Sequence, residues 1–355
     1  MISYDVVEHG KPLQRAVRET PKPKGTEVLV RTTRSGVCHS DLHIWDGYFD
    51  LGGGKRFYVK DRGCVPPFSL GHEPFGVVEA LGPDAKGVAV GTKGIVFPWI
   101  GCGECAVCKA GQDNYCLSQR FIGVFRPGAY ASHLLVPHPR YIVDAAGIDD
   151  SFAATLACSG VTTFSAIRKI PPLADRDWVV VVGCGGLGLI ALATLRAVGI
   201  ERVIACDVED AKLAAARDGG ARETVNSRDA QAALVRLQQI SGGAVAAALD
   251  FVGMPATANL GIAALAKGGR YILCGLFGGE ITLSLPPIPQ RAIGIIGSYV
   301  GNLQELRDLV ALAKTGRLKA PPIEVRPISE VNRTLDELQA GRIVGRVVLD
   351  VNETA

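Results

Sequence analysis

The segment Gly183-Cys-Gly-Gly-Leu-Gly188 constrains this chain more than any other feature. It follows the apolar run Trp178-Val-Val-Val-Val, a buried strand by composition, and opens onto Leu187 to Val198, which suits a helix. A glycine-rich turn between strand and helix brings free backbone N–H groups and the positive end of the helix to one point, where a pyrophosphate can sit. Asp207 lies about 20 positions further on, at the end of the strand Arg202-Val-Ile-Ala-Cys-Asp. A carboxylate there accepts hydrogen bonds from ribose hydroxyls and repels a 2′-phosphate. The pattern predicts NAD rather than NADP, bound by Gly183, Gly185, Gly186, Leu187, Gly188 and Asp207. The alternative is a structural glycine turn with an incidental aspartate.

Further short apolar strands, Ala246 to Asp250 and Arg270 to Cys274, together with a helix from Glu209 to Asp218, continue the alternation. Such alternation implies an α/β fold with a doubly wound parallel (Rossmann) sheet covered on both faces. A strand over Ile293 to Val300, a helix over Leu303 to Thr315 and a strand-like tail, Gly345 to Asp350, follow it. The first ~150 residues read differently, as strands and turns. Glu27 to Thr33 and Phe75 to Leu81 are strand candidates, and Gly and Pro punctuate at Gly52-Gly-Gly, Pro66-Pro67 and Pro127-Gly128. A chain of 355 residues with two such halves suits two domains.

Composition excludes several classes. The net charge is +3 with no basic tract, so nucleic acid is not an expected partner. No run reaches the ~18 apolar residues of a spanning helix. The greasiest stretch, Leu187 to Ile200, is broken by Arg196. No signal-like segment stands at the N-terminus, and a cytoplasmic location is expected.

Four of the ten cysteines crowd into Cys102-x2-Cys105-x2-Cys108-x7-Cys116. Four thiolates at such spacing are typical of a structural zinc site, and the glycines at 101, 103 and 111 let the backbone wrap closely. An iron–sulfur cluster or free thiols are the alternatives.

Two more segments concentrate chemistry: Gly36-Val-Cys-His-Ser-Asp-Leu-His43 and Gly71-His-Glu-Pro-Phe-Gly76. With Leu156-Ala-Cys-Ser-Gly-Val-Thr-Thr163, the glycine fingerprint, the cysteine lobe and the terminal Gly-Arg-Val-Val-Leu-Asp, all in this order, the chain resembles the zinc-dependent medium-chain alcohol dehydrogenases. The resemblance implies a β-rich, GroES-like catalytic domain over 1–155 holding both zinc sites, an NAD-binding domain over 156–297, and a return to the catalytic domain over 298–355. It implies two zinc ions per chain, the catalytic one held by Cys38, His72 and Cys158. Ser40 would bond the alcohol oxygen, and a relay through the nicotinamide ribose and His43 would carry its proton to solvent. Asp41 would orient His72, and Glu73 would sit near the metal as a transient ligand. His39 and Arg346 would meet the pyrophosphate, and Thr162 the nicotinamide. The implied reaction interconverts an alcohol with an aldehyde or ketone. The implied assembly is a homo-oligomer, a tetramer before a dimer, with Ile293 to Val300 resembling the family's dimerising edge strand.

Two competing readings share parts of this pattern. A metal-free reductase would lack the ligand set, and a catalytically silent NAD-binding protein would have no need of Ser40 and His43. Residues 47–70 form a longer connection than in many members, either shaping a substrate entrance or forming a neutral insertion. Trp45 and Trp99 read equally as pocket wall or core. His9, His133 and His138 read as surface or loop residues, and Cys64, Cys184, Cys206 and Cys274 as small apolar fillers.

Overall fold

The four valines of Val179–Val182 are β-branched and fully buried, as befits a strand flanked on both edges and covered on both faces. In the computed structural model, which describes residues 1–352, this strand pairs in parallel with Val203–Asp207 on one side and Val245–Asp250 on the other. Residues 353–355, the end of the 298–355 segment, lie outside the described residues. Glu223–Asn226 extends one edge of the sheet, and Leu265–Leu273 and then Gly294–Gly297 extend the other. In order of appearance the six parallel strands run 3-2-1-4-5-6, the doubly wound arrangement.

Alternate residues serve opposite faces. Val179 and Val181 pack with Leu189, Leu192 and Leu195 of the helix Gly186–Ala197. Val180 and Val182 pack with Leu237, Leu260 and Ile262 on the other side. Each fully buried leucine contributes roughly 2 kcal/mol, so the helix is held by its apolar face rather than by propensity.

The first half is built around a mixed sheet. Its strands run in the order Ile142–Asp144, Lys93–Val96, Pro74–Leu81, Val28–Gly36, Arg346–Asp350 and Ile323–Pro327, with His133–Val136 also paired to Val28–Gly36. Val28, Val30, Phe75, Val78, Ile95 and Phe97 form its core. The tail strand, with Ile323–Pro327 outside it, thus extends on Val28–Gly36 a sheet whose other members come from the first 144 residues.

The strand–turn reading of the first half missed three helices, His39–Asp46, the single turn Ala106–Lys109 and Asp150–Thr155. The helix His39–Asp46 is set by its start: Asp41 reaches back to accept the Cys38 N–H at 2.9 Å, and Gly47 closes it in a left-handed conformation at φ 83°. The expected strand over Ile293 to Val300 shortens to Gly294–Gly297, and Val300 beyond it turns left-handed at φ 41°. Cys158 lies on a π-helical turn, Leu156–Gly160, inserted between two helices. Such insertions frequently mark functional sites.

Candidate active site

Cys38 caps the helix His39–Asp46, His72 precedes the strand Pro74–Leu81, and Cys158 stands on the π-helical turn. One ligand atom from each lies within 4.8 Å of the others, and all three residues are buried. The two sulfurs are 3.9 Å apart. A tetrahedral zinc with Zn–S bonds of ~2.3 Å separates its sulfurs by ~3.8 Å, so the pair fits one such ion.

Asp41 decides which imidazole nitrogen is available. Its carboxylate accepts from the Cys38 N–H at 2.9 Å and the Tyr130 hydroxyl at 3.0 Å, and its Oδ1 lies 2.9 Å from His72 Nδ1. An oxygen that only accepts requires the proton on Nδ1. Nε2 is buried with no hydrogen-bond partner among the described residues. A buried orphan nitrogen beside two buried thiols fits a metal. The Cys158 thiol, with help from His72 and Arg346, holds Cys38 well below the usual thiol range. Burial would lower the His72 pKa, but the Asp41 carboxylate and Cys38 more than offset it.

Behind these three, Glu73 is fully buried, and burial pushes its carboxyl up to about 7 against the pull of Arg346. It pairs with Arg346 and accepts the Ser159 N–H at 3.2 Å. Arg346 is itself buried, its stem lies against Gly186, and its Nε has no hydrogen-bond partner among the described residues. The tail strand therefore links the ligand cluster to the glycine turn.

A cavity of about 470 Å³ is walled by Cys38, His72 and Cys158 together with Ser40, His43 and Thr162. The Thr162 hydroxyl is buried and unpartnered among the described residues. The His43 ring stacks on Phe49 at 4.7 Å, and burial depresses its pKa to about 4, leaving it neutral at pH 7. His39 stacks on Phe277 at 4.5 Å, bridging the two halves. Trp99 lines the cavity, its ring 5.5 Å from that of His72, whereas Trp45 is core.

Leu187 lines the same cavity, so the glycine turn borders the ligand cluster. Gly183 takes φ 90°, and a Cβ on Gly188 would overlap its carbonyl oxygen. A Cβ on Gly185 would meet nothing within 4 Å, which leaves its backbone accessible to a phosphate. Asp207 accepts from the Cys184 N–H at 2.7 Å and the Glu209 N–H at 3.0 Å, and so braces the turn as well as ending its strand. The sequence reading missed Phe251 and Cys274 to Phe277, which also line the cavity. They follow the carboxyl ends of the parallel strands Val245–Asp250 and Leu265–Leu273, where ligands bind in such sheets. That topological rule was the signal available for finding them. Cys274 is accordingly a cavity-wall residue as well as a filler.

In the cysteine lobe all four sulfurs lie within 4.8 Å of one another, and Cys102–Cys108 and Cys105–Cys116 are each 3.9 Å apart. Disulfides need ~2.05 Å, and a multi-iron cluster would hold its thiolates further apart, so the spacing fits one ion. Backbone N–H groups of Glu104 and Cys105 point at the Cys102 sulfur and lower its pKa to about 6.

Two family models match the chain. The "Alcohol dehydrogenase GroES-like domain" covers residues 24–146, and "Zinc-binding dehydrogenase" covers 186–315. An NAD-dependent alcohol dehydrogenase of Sulfurisphaera tokodaii is 36% identical over 98% of this chain and 99% of its own. The chain belongs to the zinc-dependent medium-chain alcohol dehydrogenases. Within the family, the crystal structure of the Aeropyrum pernix alcohol dehydrogenase superposes with a TM-score of 0.89 at 31% identity, over 99% of this chain and 100% of that one. The acetophenone reductase of Geotrichum candidum, solved with NAD, gives 0.83 at 26% identity over 99% and 98%.

The long 47–70 connection is a hairpin of Tyr48–Gly52 and Lys55–Tyr58 followed by a short turn, Val59–Arg62. Phe49, Leu51, Phe57, Val59 and Arg62 line the cavity. Of the two readings left open by the sequence, the geometry favours a cavity wall.

Proposed function

We propose that this dehydrogenase interconverts an alcohol with an aldehyde or ketone, hydride passing to or from NAD(H), at a centre held by Cys38, His72 and Cys158. The observation that carries the proposal is the single cavity bordered by these three side chains, by Ser40 and His43, and by Leu187 of the glycine turn. Bound zinc supplies a positive charge that favours ionisation of an alcohol, and NAD supplies the hydride acceptor. The protein does the rest. Asp41 keeps the Nδ1 proton of His72 in place, so that Nε2 presents a lone pair. The Ser40 hydroxyl bonds the substrate oxygen and relays its proton, accepting it while passing its own onward. His43, neutral at pH 7, receives that proton at the cavity wall. The pairing of Glu73 with Arg346 favours a positioning role for this carboxylate over transient ligation.

NAD lies along Gly183, Gly185, Gly186, Leu187 and Gly188 with its pyrophosphate near His39 and Arg346, its adenosine ribose at Asp207, and its nicotinamide against Thr162. Cys102, Cys105, Cys108 and Cys116 hold the second zinc. The division into a catalytic unit (1–155), an NAD-binding unit (156–297) and a C-terminal return (298–355) accords with the pairing of Arg346–Asp350 to Val28–Gly36. A cytoplasmic location is supported by ten cysteines with no disulfide among them. No helix among the described residues is long and apolar enough to cross a membrane. A homotetramer is proposed, its subunits meeting through the open edge of the strand Gly294–Gly297.

The test is NAD reduction by the zinc-loaded protein across primary, secondary, cyclic and aromatic alcohols. Turnover is expected, and Cys38→Ser should lower it by at least about a hundredfold while NADH still binds. Undiminished turnover in that variant would remove Cys38 from the centre.

A further inference from the structure

The hairpin side of the cavity carries one cation. Arg62 ends the turn Val59–Arg62 and lines the cavity, its guanidinium 5.3 Å from the Phe57 ring centroid. It is an exposed residue at the cavity mouth, and it forms no ion pair with any described residue. A guanidinium stays charged throughout the working pH range.

The interval between the ligand cluster and Arg62 is walled by rings. Trp99 stands 5.5 Å from His72, Phe121 stacks edge-on to Trp99 at 5.2 Å, and Tyr299 follows at 6.4 Å from Phe121. Tyr299 and Arg62 line the same cavity. A molecule lying along these rings from the ligand cluster to Arg62 needs an oxygen function, an apolar body and an anionic group to meet the guanidinium.

The surroundings attract an anion rather than neutralise the arginine. Residues 48–62 carry four cations, Lys55, Arg56, Lys60 and Arg62, against two carboxylates, Asp50 and Asp61. Arg56 and Lys60 lie over the rings of Tyr48 and Tyr58, at 3.9 and 5.5 Å, rather than beside acids. Asp50 is turned to the Gly52 N–H at 2.8 Å. The nearby carboxylate across the gap, Glu280, meets the hairpin tip at Gly53 instead. A cationic rim of this kind raises the local concentration of anionic substrates.

We propose that the preferred substrate class is an alcohol or carbonyl compound with an apolar body and a carboxylate at its far end, which Arg62 holds. The proposal rests on the alcohol–carbonyl reading of the same cavity, and the test separates the two. The zinc-loaded protein is assayed with 4-(hydroxymethyl)benzoate and with 4-methylbenzyl alcohol, which share shape but differ in charge. The carboxylate should be preferred by about fivefold or more in kcat/KM, through KM, and the preference should shrink with added salt. Arg62→Gln should abolish the preference, raising KM for the carboxylate far more than it alters either constant for the neutral alcohol, while Arg62→Lys should restore part of it. In parallel, quenching of protein-bound NADH fluorescence measures binding of 4-formylbenzoate and 4-methylbenzaldehyde without turnover. Arg62-dependent selectivity in binding with no turnover on either alcohol would sustain the carboxylate site and overturn the reaction. Equal binding of the two aldehydes, or an equal loss of both in Arg62→Gln, would overturn the carboxylate site whatever the turnover.

Discussion

At the residue scale, Asp41 shows how one carboxylate can organise a centre it does not itself join. It accepts from a helix-capping N–H, a buried tyrosine and an imidazole, and so settles the tautomer of His72. Asp41 was legible because it shares a short segment with Cys38, whereas Tyr130 was not, since 89 residues separate it from its acceptor. His43 leads to a pH prediction. Its ordinary pKa of 6.5 falls to about 4 on folding, so between those values the unfolded chain binds more protons than the native one. Stability then rises with pH across that window and is lost on acidification. His43→Gln removes this contribution. Its Tm, measured from pH 7 down to pH 4, should fall less steeply than that of the parent protein. Parallel curves would show that the imidazole is not buried in its neutral form.

At the scale of elements, the cysteine lobe has little to hold it but its sulfurs. Leu117 is 92% exposed and Val107 is also exposed, so the lobe lacks a core of ordinary size. A few polar links tie it down, Asn114 Nδ2 to the Tyr299 carbonyl at 3.2 Å and Asp113 to Arg140 at 3.1 Å among them. Stripping zinc with a chelator should therefore open the lobe, seen as faster tryptic cleavage after Lys109 and Arg120 than in the zinc-loaded protein. Unchanged cleavage would mean that the polar links suffice. Periodicity revealed the parallel strands because their residues are apolar without interruption, and spacing revealed the lobe because its ligands are local. The helix His39–Asp46 escaped because its eight residues are too few for a period to emerge amid polar ligands. The hairpin escaped because its Gly52-Gly-Gly sequence looks the same in an ordered turn as in a loose loop. Its contacts with the cavity depend on long-range packing that no local pattern records.

At the scale of the whole molecule, the six-stranded sheet ends on Gly294–Gly297, an edge with open hydrogen-bonding groups and an exposed Ile295. If subunits join there, Ile295→Lys should lower the solution mass measured by light scattering, while each subunit still binds NADH. An unchanged mass would place the contact elsewhere. The overall two-domain plan was legible because each half has its own strand grammar. The meeting of Arg346 with Glu73 was not, since the two lie 273 residues apart.

The placement of Arg346–Asp350 also has a consequence for biosynthesis. This strand is hydrogen-bonded beside Val28–Gly36, whose end leads directly to Cys38, and carries the guanidinium that faces Glu73. During translation the amino-terminal sheet must wait, with Val28–Gly36 left partly unpaired at its edge, until nearly the whole polypeptide has left the ribosome. The six-stranded sheet, by contrast, has all its strands by residue 297. A nascent chain can thus finish its nucleotide half first, and the ligand cluster becomes fully braced only when synthesis is almost over.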